Sequence, residues 1–170
     1  MAVLLVHGLW GFAQRLAPLK AGLEARGIDN VHALDLVPND GRAPIAELGA
    51  IVGRAASKLG EKVDIVGFSM DALVSRWYVQ RGGGKERVRR FVSISGPHHG
   101  TKVAVAAPSL AGARDMRPES DLLLDLGSDT DPFGPVAPAD DLRLRLGDLV
   151  LLERRLHAPS SSDVRGRAAH

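Results

Sequence analysis

A short apolar run that leads through a Gly-x-Ser sequence into an amphipathic helix occupies residues 63–78, VDIVGFSMDALVSRWY. The run from Val63 to Val66 predicts a buried strand, and the apolar residues after Ser69 recur at helical spacing. A strand, a sharp turn with serine at its apex and a helix are the setting in which such a serine exposes its hydroxyl above the end of a sheet. Gly67 suits this turn because side chains on both sides of it would collide. The stretch therefore predicts a nucleophile at Ser69, with an ordinary glycine-serine turn as the alternative.

The segments on either side of this stretch alternate between short apolar runs and amphipathic stripes. The apolar runs predict strands at 2–6, 31–36, 63–69 and 88–94. Apolar residues at helical spacing predict three helices between them, one from Phe12, one from Ile45 to Leu59 and one after Ser69. Elements that alternate in this way form a parallel sheet with right-handed crossovers and helices on both faces. The predicted fold class is therefore α/β, as a single domain over residues 1–170.

The composition changes after the fourth predicted strand. Residues 95–141 are rich in Gly, Pro, Ser and Asp, with weak helical signals at 103–107 and 122–126. A connection of this length in a compact domain is typically a functional loop or a lid. Beyond it, alternating Leu and Arg residues predict an edge strand at 142–146, and a last strand is predicted at 164–167.

Composition argues against several classes of protein. The 170 residues include no cysteine, which rules out disulfides and thiolate metal sites. A formal net charge of +2 and an aromatic content of 4% are poorly suited to nucleic-acid binding. The N-terminal sequence MAVLLVHG has no basic region or small-residue cleavage site, and its apolar run is too short to span a bilayer. We therefore expect a cytoplasmic protein without an integral membrane segment, with a secreted parent as the alternative.

A catalytic serine requires a base within hydrogen-bond reach and an acid that orients this base. In a strand-turn-helix setting the chain order is Ser, then Asp or Glu, then His, each after a strand. Asp148 and His170 follow the last two predicted strands and are 22 residues apart (170 − 148). His157 is the alternative base, although it lies near the intervening helical segment. The structural alternatives are an ordinary turn residue at Asp148 and a frayed terminus at His170.

Two groups of side chains have the chemistry of metal ligands. His98 and His99 are adjacent, but neighbouring side chains in an extended segment point to opposite sides. Asp125, Asp129 and Asp131 supply carboxylates without the regular spacing of a calcium-binding loop. Neither group predicts a metal site, and no cofactor is expected.

Four segments resemble, in order, the motifs of the α/β-hydrolase superfamily, and within it those of the small bacterial serine lipases and esterases. They are VLLVHGLWGF, VDIVGFSMDALVSRWY, SISGPHHGT and GDLVLL, and the C-terminal DVRGRAAH is similar to the final strand and catalytic histidine of these enzymes. The resemblance implies a three-layer α/β-hydrolase-like fold with a mostly parallel sheet, here minimal and short at the C-terminus. It implies Ser69 as nucleophile, Asp148 as acid and His170 as base. The implied reaction is the hydrolysis of small-molecule carboxylic esters, including lipid or acylglycerol esters, without a cofactor.

The same resemblance implies roles for the residues around the nucleophile. The backbone N–H groups of Leu9 and Met70 would form an oxyanion hole, because Leu9 follows His7-Gly8 and Met70 follows the serine. The acyl pocket would be lined by Trp10, Phe68, Pro97, His98 and His99. His7 is a structural residue in such proteins.

Asp71 stands where the family pattern has a small residue. A carboxylate in the first turn of a helix suits the helix dipole, but a negative charge beside a developing oxyanion opposes catalysis. At ~6 Å and an effective dielectric constant of ~20, the repulsion is on the order of 3 kcal/mol, or roughly a hundredfold in rate. We therefore expect Asp71 to weaken turnover and Asp71→Gly to raise it.

The chain ends at His170, whereas members of the resembled family continue into a helix that covers the sheet. A terminal imidazole with little packing is expected to be poorly oriented, and a displacement of ~1 Å can cost about a hundredfold in rate. Two alternatives to ester hydrolysis follow from these departures. One is a relative that binds an apolar ligand with impaired or no catalysis, and the other is an acyltransferase on the same fold.

Overall fold

Four parallel strands form the centre of the structure, a computed structural model that describes residues 2–60 and 62–133. The strands are β1 Ala2–Val6, β2 Val31–Leu34, β3 Val63–Phe68 and β4 Val88–Ile94. They are hydrogen-bonded in the order β2-β1-β3-β4, and every pair is parallel. In the two central strands, Leu5 of β1 is opposite Val66 of β3. The predicted α/β fold with a mostly parallel sheet is confirmed.

Helices connect the strands, as the alternating sequence predicts. They are α1 Ala17–Glu24, which follows a 3₁₀ turn at Ala13–Leu16, then α2 Ile45–Lys58 and α3 Met70–Arg81. The apolar stripe of α2 is buried as predicted, from Ile45 through Leu48 to Val52. Phe12 differs from the prediction, because it precedes the 3₁₀ turn in an extended conformation and its side chain is 57% exposed.

The core lies on both faces of the sheet and is closed on one side by two packed helices. All five residues of β1 are buried, which explains why this strand is apolar without alternation. α2 packs closely on α3 because Gly49 leaves room for the indole of Trp77. A Cβ at residue 49 would lie only 2.2 Å from Cε3 of that ring.

Residues 95–133 contain three short helices, a 3₁₀ helix at Lys102–Ala106, α4 Ala111–Asp115 and α5 Asp121–Gly127. Helices are therefore present at both weak helical signals, whereas α4 gave no signal in the sequence. Hydrogen bonds at α4 and α5 anchor this segment to the helices α2 and α3. The carboxylate of Asp115 accepts a hydrogen bond of 2.8 Å from the Ile45 amide, which caps α2, and the carbonyl of Leu126 accepts from Arg76 and Gln80.

The described residues belong to a compact unit that extends over residues 1–138. The strands predicted at 142–146 and 164–167 lie outside the described residues, so the single domain over residues 1–170 stays a prediction. Within residues 2–60 and 62–133, no helix has the length and apolar character needed to cross a membrane.

Candidate active site

Ser69 lies at the apex of the turn between β3 and α3, in a backbone conformation that side-chain-bearing residues rarely adopt. Its φ is 52° and its ψ is −126°. The turn is held from both sides, because the Ser69 amide donates to the carbonyl of Ile94 (2.8 Å) and the Ser69 carbonyl accepts from the Ala72 amide (3.1 Å). Gly67 is required on one flank, since a Cβ there would lie 2.7 Å from Cα of Ala72. The predicted strand, turn and helix are all present.

The conformation of Ser69 predicts a stability difference between two variants that both lack the hydroxyl. Strained backbone of this kind costs about 1–3 kcal/mol, which glycine relieves. Glycine also raises the conformational entropy of the unfolded chain, which lowers the stability of the protein by about 0.4–1 kcal/mol. We expect Ser69→Gly to be about 1 kcal/mol more stable than Ser69→Ala in urea unfolding. The matched pair Ser57→Gly and Ser57→Ala, in the regular helix α2, should show the opposite order. If the turn were unstrained, Ser69→Ala would be the more stable of the two variants, as is expected at residue 57.

The turn after β1 lies directly against the nucleophile. A Cβ at Gly8 would lie 3.0 Å from Cβ of Ser69 and 3.1 Å from Cδ1 of Phe68. The absence of a side chain at residue 8 therefore allows the backbone of this turn to approach Ser69. The structure brings together the segments that carry Leu9, Phe68 and Ser69.

The peptide group between Gly8 and Leu9 is fixed through its carbonyl. The Gly8 oxygen accepts from the Gly11 amide (2.8 Å) and lies 2.9 Å from Nδ1 of His7. In a planar trans peptide the C=O and N–H point in opposite directions, so these contacts also fix the direction of the Leu9 N–H. Within the described residues, the amides of Leu9 and Met70 donate to no acceptor. Their role as an oxyanion hole stays a prediction.

His7 is buried, with 2% of its surface exposed, and both ring nitrogens have backbone contacts. Nε2 accepts a hydrogen bond of 3.1 Å from the Leu36 amide, so the ring proton is on Nδ1, which donates to the Gly8 carbonyl. Asp35 Oδ1 lies 3.6 Å from Nε2 and itself accepts from the Ala13 amide. The imidazole therefore links the ends of β1 and β2 and supports the turn beside Ser69.

Asp71 lies in surroundings that oppose the negative charge expected from the sequence. Its side chain is 0% exposed, and Oδ2 lies 3.3 Å from Nδ1 of His7. Neither carboxyl oxygen has a hydrogen-bond partner among the described residues. Burial raises the pKa of Asp71 to about 8, so the carboxyl is mostly protonated at neutral pH. Burial therefore opposes the anion that was expected at this position, and the gain in turnover expected from Asp71→Gly stays a prediction.

The residues predicted to line an acyl pocket occupy two different environments. Trp10 is 65% exposed, has a φ of 53° and is held by a hydrogen bond of 2.9 Å from its amide to the Asn39 carbonyl. Phe68 is half-buried against Gly8. Asn39 also donates from its side chain to the carbonyl of Gly11. This support of the turn was not predicted from the sequence, in which a polar residue between Pro38 and Asp40 was the only signal.

Pro97 and His98 lie in the loop after β4, where the ring of His98 contacts a serine. His98 Nε2 is 2.6 Å from Oγ of Ser93, and Nδ1 is buried without a partner among the described residues. Burial, followed by the charges of Arg76 and His99, lowers the pKa of His98 to about 4. His98 is therefore a neutral side chain in this loop, and its contact with substrate, like that of Pro97, stays a prediction.

Acidic residues in α5 and after it form ion pairs with basic residues at the end of α3 and after it. Asp125 pairs with Arg81 (2.9 Å), and Asp129 pairs with Lys85 (3.0 Å) and Arg81 (3.2 Å). The pKa of Asp129 is lowered to about 2, and the hydrogen bond from Lys85 is the largest cause. In the part of the chain that the structure describes, no group of three His, Cys, Asp or Glu side chains has the arrangement of a metal site.

The remaining members of the predicted triad lie beyond residue 133. Asp148, His170 and the alternative base His157 are outside the described residues. Their roles as acid and base stay predictions.

Solved structures of lipases share this fold. The mature lipase BlEst2 from Bacillus licheniformis superposes with a TM-score of 0.60 at 21% identity, over 76% of this chain and 59% of that chain. Lipase B from Aspergillus fumigatus gives 0.63 at 18% identity, over 75% and 33%. Phospholipase PlaB from Legionella pneumophila gives 0.62 at 17% identity, over 74% and 33%. The chain thus spans about three fifths or less of the length of these relatives, and the likeness shows the fold alone.

Comparison with curated proteins gave no match. The sequence profile of the palmitoyl protein thioesterase family matches residues 3–125, which include Leu9, Ser69 and Met70 and extend from β1 into α5. The match covers more than two thirds of the sequence. The chain therefore belongs to the palmitoyl protein thioesterase family, within the α/β-hydrolase superfamily.

Proposed function

We propose that the protein is a serine hydrolase that cleaves carboxylic esters or thioesters of fatty acyl groups through an acyl-enzyme on Ser69. The observation that carries the proposal is the backbone of Ser69, with φ 52° and ψ −126°, at the junction of β3 and α3. Strain of this kind persists where the surrounding structure enforces it, and such sites are frequently catalytic. The family match and the lipase-like fold support a hydrolase.

In the proposed reaction, Oγ of Ser69 attacks the acyl carbonyl carbon while its proton passes to His170, which Asp148 orients. The carbonyl oxygen becomes an oxyanion, which accepts hydrogen bonds from the amides of Leu9 and Met70. Collapse of this intermediate breaks the bond to the leaving alcohol or thiol, which takes the proton from His170. Water then attacks the acyl-enzyme by the same route and releases the carboxylic acid and free Ser69.

Two features of the described residues support stabilisation of the oxyanion. Met70 is the first residue of α3, so its N–H is at the positive end of a twelve-residue helix. The Leu9 N–H belongs to a peptide that is already fixed by hydrogen bonds to Gly8, so it needs no reorientation during the reaction. A single preorganised donor of this kind typically contributes about 10²–10³ in kcat.

The preference for fatty acyl groups is supported by apolar side chains at the carboxyl ends of the strands. Trp10 and Phe12 follow β1 and are 65% and 57% exposed, and Val37 follows β2 and is 74% exposed. The carboxyl ends of parallel strands share one edge of the sheet, which also carries Ser69. An acyl chain or a lipid surface would cover these side chains, whereas a small polar ester would leave them in water.

Hydrolysis of two substrate series tests the proposal. We expect the full chain to hydrolyse p-nitrophenyl esters and acyl-coenzyme A thioesters, with higher kcat/KM for long than for short acyl chains. Ser57→Ala, which changes an exposed serine on α2, should leave the rates unchanged. A folded chain that binds a fatty acid but hydrolyses neither series would support the non-catalytic relative. Acyl transfer to an added alcohol in preference to water would support the acyltransferase.

A further inference from the structure

Asp71 is an unusual residue to find beside a nucleophile, because its carboxyl is fully buried and has no hydrogen-bond partner among the described residues. It is in the first turn of α3, two residues after Ser69. The carboxyl faces Nδ1 of His7, from the turn after β1, at 3.3 Å, and Asp35, from the segment after β2, lies beyond this ring. On its own helix, Ser75 donates to the backbone carbonyl of Asp71 and not to its side chain. Within the described residues, no Lys, Arg, Asp or Glu side chain contacts the Asp71 carboxyl.

The Nδ1–H of His7 has two acceptors within reach. Gly8 O lies at 2.9 Å and Asp71 Oδ2 at 3.3 Å. The other ring nitrogen is already used, because Nε2 accepts from the Leu36 amide. A neutral carboxyl leaves the N–H on the Gly8 carbonyl, which is the arrangement in the structure. An ionised carboxylate is a stronger acceptor than a carbonyl. A buried carboxylate without a hydrogen bond also has a large desolvation penalty, which a hydrogen bond from His7 would reduce.

The Gly8 carbonyl belongs to the same peptide as the Leu9 N–H, so the choice of acceptor bears on the proposed oxyanion hole. We propose that Asp71 is a positioning residue, whose ionisation draws the His7 N–H away from Gly8 O and so loosens the peptide that presents the Leu9 amide. This inference rests on the proposed function, since it assigns Asp71 a role in a reaction at Ser69. Asp71 acts through His7 and the Gly8 carbonyl and touches no reacting atom.

The direction of the effect with pH follows from the burial of the carboxyl. Burial disfavours the charged form and raises the pKa of Asp71 to about 8. Below this pH the carboxyl is neutral and the peptide is held, and above it the carboxylate forms. The rate of acylation of Ser69 should therefore fall on the alkaline side of pH 8.

Asp71→Asn tests this directly, because the amide has the shape of the carboxyl but does not ionise. We expect kcat/KM for a short p-nitrophenyl ester, corrected for spontaneous hydrolysis, to fall about tenfold in the wild type between pH 7.5 and 9.5. The alkaline fall should be absent from Asp71→Asn. Asp121→Asn is the matched control, since Asp121 is also in the first turn of a helix, α5, but is exposed. It should keep the wild-type pH profile.

Three outcomes separate the inference from the function on which it rests. If no variant reacts with a fluorophosphonate at Ser69 at any pH, the proposed function fails. If Ser69 reacts and the same alkaline fall occurs in the wild type and in Asp71→Asn, the role of Asp71 is overturned while the function stands. If Asp71→Asn does not fold, the wild type alone decides. The carbonyl ¹³C resonance of Gly8 should then shift with a midpoint near pH 8, and a resonance that stays constant from pH 7 to 9 would overturn the inference.

Discussion

Ser69→Ala is expected to lower kcat/KM for a fatty acyl ester or thioester by at least about 10⁴-fold. Removal of the nucleophile from a triad that acts as a unit typically has effects of this order or larger. The substitution leaves the turn in place, because alanine occupies the same backbone conformation with a similar steric cost. The comparison is therefore between two folded proteins, which circular dichroism checks.

The control for this variant is Ser57→Ala, which removes a hydroxyl that donates to the Gly53 carbonyl on the surface of α2. It should retain wild-type turnover. If Ser69→Ala kept more than a tenth of the wild-type kcat/KM, Ser69 would not be the nucleophile, and the strained turn would need another explanation.

Gly67→Ala is expected to destabilise the protein by about 2–3 kcal/mol and to reduce turnover by at least about a hundredfold. The added Cβ would lie 2.7 Å from Cα of Ala72 and 2.9 Å from the Asp71 carbonyl oxygen, which are backbone atoms. α3 would have to move away from β3, at a cost typical of overpacking. A shift of ~1 Å in Ser69 relative to Leu9 accounts for the loss in rate.

Gly127→Ala provides the matched control for this prediction. Gly127 is the last residue of α5, and a Cβ there would meet no atom within 4 Å. Because alanine has the higher helix propensity, this variant should be unchanged or up to about 1 kcal/mol more stable. Urea unfolding of both variants measures the difference. Equal stabilities would show that β3 and α3 are less closely packed than the structure indicates.

The position of Asp71 explains how this chain accommodates a carboxyl where the resembled motif has a small residue. In the first turn of a helix an exposed carboxylate is favourable, but this side chain points inwards to His7 and is excluded from water. The neutral form avoids both the cost of a buried charge and repulsion of an oxyanion. At neutral pH the substitution is therefore compatible with chemistry at Ser69.

The elements of the sheet and its three long connections were predictable because each has a clear apolar pattern, either a stripe at helical spacing or an unbroken apolar run. The stripe through Ile45, Leu48 and Val52 identified α2, and the uninterrupted apolar run of β1 identified a strand buried on both faces. The failures arose where contacts distant in sequence decide the structure. α4 has five residues and no apolar stripe of its own, and its Asp115 is fixed by contact with the start of α2.

In the candidate site, too, the features set by local sequence were predictable and those set by contacts distant in sequence were not. Ser69 and the turns around Gly8 and Gly67 were predictable, because a tight turn between a strand and a helix restricts the residue types that fit. The burial of Asp71 was not predictable, since it depends on His7, which is 64 positions away in the sequence (71 − 7). The hydrogen bond from Trp10 to Asn39 depends likewise on the approach of two loops. The assignments of Asp148 and His170 rest on chain order and on the resemblance, and they stay predictions.

Intact-mass analysis after treatment with a fluorophosphonate tests most directly whether Ser69 is an activated nucleophile. We predict a single adduct on the wild-type chain, mapped to Ser69, absent from Ser69→Ala and formed more slowly in His170→Ala. The absence of an adduct on a folded wild-type chain, or an adduct on another residue, would contradict it.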